Sequence, residues 1–229
     1  MVCLVISNVI FLILNNPSAL VSSILLFISS SENVSIIKRW VGEVQEALKY
    51  PKGMIQFYAI QLLYIIKSHD RLGVSKLVHQ CISRKSFNNP LVLVCLIRFT
   101  WKLLCDDVLE GRKIPGSNPA GSQLSKFLNF CLNNKCEIVV FEAANAICTV
   151  TRCQAEDMSA SVLALKNLLG SKKSCTRLGV VTVLAVIADS YPRQVGSCSE
   201  LLVEDSNRLI DIFSITTPFP LQHCYGLQM

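Results

Sequence analysis

Apolar side chains recur every three or four residues along most of this chain, which is the spacing of one face of an α-helix. Residues 33–48 show this pattern with charged residues on the opposite face, and residues 54–66 are apolar nearly all round. A helix that is apolar all round is typical of one enclosed by neighbours. Asp70 is a suitable N-cap for the next helix, and Pro90 suits a first helical turn. Further helices are predicted over residues 91–104, 123–132, 137–150, 156–169 and 175–188.

The predicted helices recur in pairs. The first helix of each pair begins near residue 17, 54, 90, 137, 173 or 206, which gives steps of 37, 36, 47, 36 and 33 residues. The long third step contains a Gly- and Pro-rich loop insertion over residues 106–122. A two-helix repeat of about 36 to 40 residues is typical of HEAT and armadillo arrays, and no strand pattern competes with it. We therefore predict an all-α fold, an α-solenoid of HEAT/armadillo-like helical repeats.

The composition agrees with a large folded core. Of the 229 residues, 51% are hydrophobic and 17% are charged, which excludes a disordered chain. The net charge is +6, but the excess is local, because residues 47–105 contain nine Lys or Arg and a single acid, Asp70. This basic stretch suits an acidic partner or anionic lipid headgroups, and ordinary solvated helix faces explain it equally well.

The eleven cysteines do not indicate a disulfide framework. They are odd in number and scattered, and most lie in apolar helical runs, where Cys behaves as a small buried hydrophobe. A reducing, cytoplasmic compartment is therefore expected.

The first 31 residues carry no charged side chain. Their apolar run over residues 2–14 ends at Asn15, short of a membrane span and without the basic start of a secretory signal. We expect an atypical buried segment. The alternative is a membrane-anchored or secreted protein, for which the glycosylation sequon at Asn33 would matter.

No motif predicts catalysis or a cofactor. Gly116 and Gly121 have the spacing of a phosphate-binding loop, but Ser122 stands in place of the lysine and no strand precedes it. No nucleophile elbow accompanies the three histidines, His69, His79 and His223. We therefore predict no catalytic, cofactor-binding or metal-ligating residue, and no enzyme activity.

Two cysteine pairs have a superficial likeness to metal ligands. Cys131 and Cys136 are five residues apart, as are Cys148 and Cys153. On a helix this spacing separates two side chains by about 140°, and structural zinc sites favour tighter knuckles. Buried structural thiols are the prediction for all four.

Residues 98–102 alternate basic and aromatic side chains, as segments that bind nucleic acid do. Phe99 and Trp101 are more simply explained as core and flank positions of a solenoid helix. No nucleic-acid partner is predicted.

Several segments resemble a known family in their order and spacing. They lie at residues 36–47, at 56–64 followed by 70–72, at 131–135 running into 139–144, and at 205–208 with 215–217. Together they resemble the trunk of the gamma-subunit family of coatomer, the COPI vesicle coat, which is related to the large adaptin subunits of clathrin adaptors. The resemblance covers residues 17–217. Glu142, Asp205 and Arg208 belong to the matched segments, and each also has an ordinary capping or inter-repeat explanation.

The resemblance implies a cytoplasmic scaffold, peripheral on Golgi membranes and COPI-coated vesicles, with no enzyme activity and no cofactor. The implied partners are the other coatomer subunits, among them a zeta-type small subunit and a beta-type large subunit, together with an Arf-family GTPase and the Golgi membrane. The implied function is intracellular protein transport by Golgi-to-ER and intra-Golgi vesicles. The alternatives are a generic HEAT/armadillo interaction scaffold outside vesicle coats and a non-functional truncated paralogue.

The resemblance also divides the chain. We expect residues 1–16 to form an atypical apolar N-terminal segment and residues 17–217 an adaptin-like helical-repeat trunk fragment with its loop insertion at 106–122. Residues 218–229 are expected to form an irregular tail, because Pro218 and Pro220 break a helix. The family's further repeats and its appendage are not matched, so the chain is expected to be an internal or truncated fragment.

Overall fold

The computed structural model describes residues 16–29, 38–67, 70–84, 87–109, 119–150, 155–188 and 195–196. Within these ranges there are nine α-helices and no β-strand. The helices are α1 (Pro17–Ser29), α2 (Val41–Ala47), α3 (Gly53–Lys67), α4 (Arg71–Arg84), α5 (Pro90–Leu109), α6 (Pro119–Leu132), α7 (Glu137–Thr149), α8 (Ala155–Leu169) and α9 (Ser174–Ala188). The chain divides into two compact units, the first ending at Gln154 and the second beginning at Ala155.

The first unit is built from two layers of helices. Helices α1, α3, α5 and α7 contact each other in succession and form one layer. In the second layer α4 contacts α6, and both also pack on α5. Every second helix thus shares a layer, which is how stacked repeats cover the apolar faces that a single helix pair leaves open. The predicted all-α solenoid of helical repeats is confirmed.

Helix α3 is enclosed by its neighbours, as its all-round apolar sequence predicts. It contacts α1, α2, α4 and α5, and Ile60, Leu62 and Leu63 are fully buried. The side chain of Gln56 is buried as well, and its Nε2 donates to the backbone carbonyl of Tyr50 at 2.8 Å. That hydrogen bond satisfies an amide that would be costly to bury without a partner, and it fixes the turn before α3.

The helix ends show how capping residues place α4 and α5. Asp70 immediately precedes α4, its carbonyl accepts the N–H of Val74 at 2.9 Å, and its carboxylate lies over the first turn. Before α5, the Oδ1 of Asn89 accepts the N–H of Leu91 at 2.9 Å. Pro90 follows as the first residue of that helix, where its missing N–H costs nothing.

The helix predicted over residues 33–48 is interrupted in its described part, where Lys38 is helical and residues 39–40 form a turn. Helix α2 begins only at Val41, because Trp40 adopts φ −89° and ψ 7°, the bridge conformation rather than a helical one. The Trp40 ring is half-buried against the core of the first unit. Tertiary packing of this aromatic side chain therefore accompanies a break that the apolar periodicity does not reveal.

The helix boundaries on both sides of the insertion predicted at 106–122 are also different. Helix α5 continues to Leu109 and α6 already begins at Pro119. The added turn of α5 is held by an ion pair between Asp107 and Arg71, the first residue of α4. This charge pair joins the added turn of α5 to the start of α4, a contact that local propensity does not reveal.

The second unit, in its described part, is the helix pair α8 and α9. These helices contact each other and bury Met158, Leu165, Val180 and Leu184. The repeat predicted from residue 206, the tail at 218–229 and the apolar run at 2–14 lie outside the described residues, as do Asn33, Cys153, His69 and His223. In the described ranges no helix is both long enough and apolar enough to cross a membrane.

Candidate interaction surface

The α3/α5/α7 layer carries an aromatic pair on its outer side. Tyr64 of α3 and Phe99 of α5 lie parallel, with ring centroids 3.8 Å apart and an interplanar angle of 1°. Both rings are half-buried, and the Nζ of Lys102 lies 5.6 Å from the centroid of the Tyr64 ring, within cation–π range. Contact with the Tyr64 side chain raises the pKa of Lys102. The stack joins two successive repeats, and the lysine lies beside it.

An ion pair joins the next two helices of the same layer. The guanidinium of Arg98 on α5 donates to the carboxylate of Glu142 on α7. The Glu142 side chain is 15% exposed and that of Arg98 is 64% exposed. The glutamate is therefore largely enclosed by its neighbours, while the arginine lies at the surface. The hydrogen bond raises the pKa of Arg98. Glu142 therefore has the inter-repeat role that its sequence position allowed.

An open groove of about 460 Å³ lies beside these two contacts. Besides the four side chains of the stack and the ion pair, it is lined by Ile97, Trp101, Lys102, Asn145, Ala146 and Thr149. Trp101 is 38% exposed, which confirms its flank position, while Phe99 is packed in the stack. We call this the α5/α7 groove. Aromatic surface, an amide and both signs of charge are suited to contact with another macromolecule.

The basic stretch at residues 47–105 is partly neutralised in the fold. Arg71 pairs with Asp107, Arg98 pairs with Glu142, and Lys49 pairs with Glu46 at 2.6 Å. All three acids lie outside the stretch in sequence, so counting charges along the chain overstates the local excess. Sequence reasoning missed these pairs because two of them join residues 36 and 44 positions apart.

Four of the seven cysteines in the described ranges are buried as small core residues. Cys131 and Cys148 are buried and Cys136 is half-buried, and no disulfide forms among the cysteines of the described ranges. Burial raises the pKa of Cys131 to about 12 and that of Cys95 to about 11. These thiols stay protonated at neutral pH and are poor nucleophiles and poor metal ligands.

A metal site requires several ligand side chains grouped around one point. In the described part of the chain, the His, Cys, Asp and Glu side chains form no group of three suited to a metal ion. His79 has a structural partner instead, since its Nδ1 lies 3.1 Å from the Oε1 of Gln123 and links α4 to α6. Gly121 and Ser122 lie in the first turns of α6, and Gly116 lies outside the described residues.

Comparison with known proteins gives a consistent family signal. The sequence profile described as the Adaptin N terminal region matches residues 16–219. The chain is similar to coatomer subunit gamma of Anopheles gambiae, with 36% identity over 205 residues that cover 88% of this chain and 23% of that relative.

Two further relatives agree with this match. Coatomer subunit gamma of Dictyostelium discoideum and coatomer subunit gamma-1 of Rattus norvegicus are each 37% identical over 205 residues, covering 88% of this chain. These alignments cover 21% and 22% of the two relatives, so the chain spans less than a quarter of the length of the curated relatives it matches. No solved structure matches the chain.

Proposed function

Because this chain belongs to the adaptin N-terminal region family, we propose that it acts as a structural subunit of the coatomer vesicle coat. The similarity to coatomer gamma subunits over 88% of the chain is the observation that carries the proposal. It is supported by the two-layered helix stack of the first unit, a form that presents long surfaces to partners. The proposed role is that of a scaffold and not of an enzyme.

The finer parts of the proposal come from the relatives, which are coatomer gamma subunits. We infer a cytoplasmic location with peripheral attachment to Golgi membranes, and transport by Golgi-to-ER and intra-Golgi COPI vesicles. The inferred partners are a zeta-type small subunit, a beta-type large subunit and an Arf-family GTPase. The domain division into residues 1–16, 17–217 and 218–229 stays a prediction.

The α5/α7 groove is our candidate for a contact with the small subunit. It has an exposed tryptophan at its edge, a lysine beside the aromatic stack, and an ion pair between Arg98 and Glu142 that joins two of its helices. Tryptophan and arginine are the side chains most often found at the energetic centre of protein interfaces. A groove with rigid walls also loses little conformational entropy when a partner binds.

Co-expression with a tagged zeta-type coatomer subunit tests the coat assignment. Affinity capture is followed by size-exclusion chromatography with light scattering, and we expect a stoichiometric complex. Coatomer subunit gamma-1 of Rattus norvegicus, captured in parallel, shows that the small subunit is competent. If the relative forms the complex and this chain does not, the coat assignment fails and a generic helical-repeat scaffold becomes the better explanation.

A matched pair of variants tests the groove. We expect Trp101→Ala combined with Lys102→Glu to weaken the complex, because both side chains line the groove and are exposed. Lys135→Glu, at an exposed position in the turn between α6 and α7, changes a lysine outside the groove and is expected to leave the complex unchanged. If the unmodified chain and both variants bind the small subunit equally well, the small subunit contacts another face of the chain.

A further inference from the structure

A second groove lies on the other layer of the first unit, between α4 and α6. Its volume is about 630 Å³, and its floor is formed by α5 through Leu93 and Leu96. Phe87 and Phe127 close the sides, and both are almost completely buried. We call it the α4/α6 groove. The volume is in the range of clefts that hold a ligand or several side chains of a partner.

The edge of this groove carries an exposed aromatic side chain. Phe130 of α6 is 68% exposed, although Phe127, one helical turn earlier on the same helix face, is only 8% exposed. The fold therefore buries one ring of the pair and leaves the other in water beside an apolar groove. Exposed aromatic surface next to a preformed groove is typical of a binding site rather than of a solvated helix face.

The polar groups at the edge are mostly engaged with each other. The Nε2 of Gln123 donates to the Oγ of Ser83 at 3.2 Å, and its Oε1 contacts His79. Lys126 is exposed and is the charged residue among the described residues that line the groove. With a lysine at the edge and no carboxylate among these lining residues, the groove favours a partner that brings a negative charge.

The walls of the groove restrict the form of the occupant. Most of the lining residues belong to α4, α5 and α6, and Phe87 and Asn88 come from the segment just before α5. The N–H and C=O groups inside a helix are bonded to each other, and no strand is present among the described residues, so an extended peptide would find no sheet edge there to pair with. Recognition then depends mainly on side chains. An amphipathic helix, whose own backbone groups are satisfied internally, meets this condition.

We propose that the α4/α6 groove binds an amphipathic helix of a partner protein, with bulky apolar side chains on one face and carboxylates beside them. The apolar side chains enter the groove and cover Phe130, and a carboxylate pairs with Lys126. Helix α1 of a second copy fits poorly, because it exposes Leu25, Leu26 and Ile28 but carries no charged residue. The proposal concerns a different layer from the α5/α7 groove and does not depend on membership of the coat.

Three designed peptides supply the probes. Each is a fluorescent helical peptide of about 18 residues, or five turns. The first has Leu and Phe at positions i, i+3 and i+7 flanked by Glu, the second has Lys in place of each Glu, and the third has Ala in place of each apolar side chain. Fluorescence anisotropy with the full chain measures their affinities. We expect the acidic peptide with apolar side chains to bind most tightly and the Ala peptide not to bind.

Two variants of the chain locate the peptide. We expect Phe130→Ala to weaken binding of the acidic peptide at least about tenfold, since a bound partner buries most of that ring. Lys126→Glu should weaken the acidic peptide and strengthen the basic one, each by about three- to fivefold, which is the size of an exposed charge pair. Ile138→Ala, which removes a side chain 47% exposed but outside the groove, and Lys135→Glu are the matched controls.

The outcomes separate the possible occupants. Binding that ignores the apolar positions, or that survives Phe130→Ala unchanged, overturns the proposal. If Lys126→Glu does not change the relative affinities of the acidic and basic peptides, the proposed pairing of a partner carboxylate with Lys126 is wrong. If light scattering shows a dimer that Phe130→Ala dissociates, the occupant is a second copy of this chain and the proposal is wrong. The complex with the small coatomer subunit is expected to form with Phe130→Ala, so the two proposals fail independently.

Discussion

Gly53, the first residue of α3, is expected to be intolerant of the smallest possible side chain. A Cβ placed on it would lie 2.0 Å from the Nδ2 of Asn89 and 2.7 Å from its Cγ. Asn89 cannot simply move aside without consequence, because its Oδ1 accepts the N–H of Leu91 and caps α5. The two helices thus begin so close together that a methyl group on one displaces the cap of the other.

The size of the effect follows from the cap. Loss of an Asn N-cap costs about 1 kcal/mol of folding free energy, and the helix propensity gained by replacing Gly with Ala is small at the end of a helix. We therefore expect Gly53→Ala to destabilise the protein by about 1 to 2 kcal/mol. At Gly42, an exposed residue of α2, a Cβ would meet nothing within 4 Å. The same substitution there is expected to stabilise by up to about 1 kcal/mol.

Urea unfolding of four proteins tests the mechanism: the unmodified chain, Gly53→Ala, Asn89→Gly and the double variant. Glycine is needed at position 89 because the Cβ of Asn89 would itself lie 2.9 Å from the added methyl group. If the methyl group acts by displacing Asn89, it should cost almost nothing once that whole side chain is gone, so the two effects will not add. Gly42→Ala is the control for the general effect of Gly to Ala replacement. An equal loss from Gly53→Ala with and without Asn89 would refute the reasoning, as would destabilisation by Gly42→Ala.

The other predictions concern the ion pair and the thiols. A double-mutant cycle of Arg98→Ala and Glu142→Ala, measured by urea unfolding, should give a coupling free energy of about 0.5 to 1 kcal/mol. The coupling should fall in high salt, because Arg98 is largely exposed. Strictly additive losses of stability would show that the two side chains do not stabilise each other. Iodoacetamide at neutral pH should label the exposed Cys175 well before Cys95 and Cys131, because burial raises the pKa values of these two thiols to about 11 and about 12. Mass spectrometry of timed samples measures the order of labelling, and early labelling of Cys131 would contradict the prediction. Because those pKa values lie above the unfolded value of 9.0, the two thiols contribute stability that is complete below pH 9.0 and is lost as the pH rises toward about 12. The urea midpoint should therefore fall more steeply above pH 9.0 in the unmodified chain than in a variant with Ala at both positions.

The sequence predicted the helices and their repetition well because these follow from local periodicity. The enclosed helix over residues 54–66, the cap at Asp70 and the start at Pro90 all agree with the structure to within a residue or two. The errors came where tertiary contacts override local preference. Trp40 interrupts a periodic run, and the ion pair of Arg71 and Asp107 accompanies an added turn of α5.

The candidate surfaces were harder to predict for a related reason. The α4/α6 groove corresponds to no motif, and the α5/α7 groove corresponds only in part to the basic and aromatic segment at residues 98–102, since each groove combines side chains from three helices. The local count of basic residues even pointed toward a stronger charge than the fold presents, because Asp107 and Glu142 approach from later helices. The charge and the contacts at a helix surface depend on side chains one repeat away, which the sequence of a single helix does not reveal.

The repeat register nevertheless contains the missing information. Tyr64 and Phe99, which meet across α3 and α5, are 35 residues apart, close to the step between those helices. Arg98 meets Glu142 across α5 and α7 at a separation of 44 residues, and His79 meets Gln123 at the same separation. Both separations of 44 residues cross the insertion between α5 and α6. They exceed the 35-residue separation of Tyr64 and Phe99 by nearly as much as the long third step exceeds the other steps. The added residues therefore leave the stack in register, so opposite charges or aromatic pairs found one step apart are the first contacts to look for in such a chain.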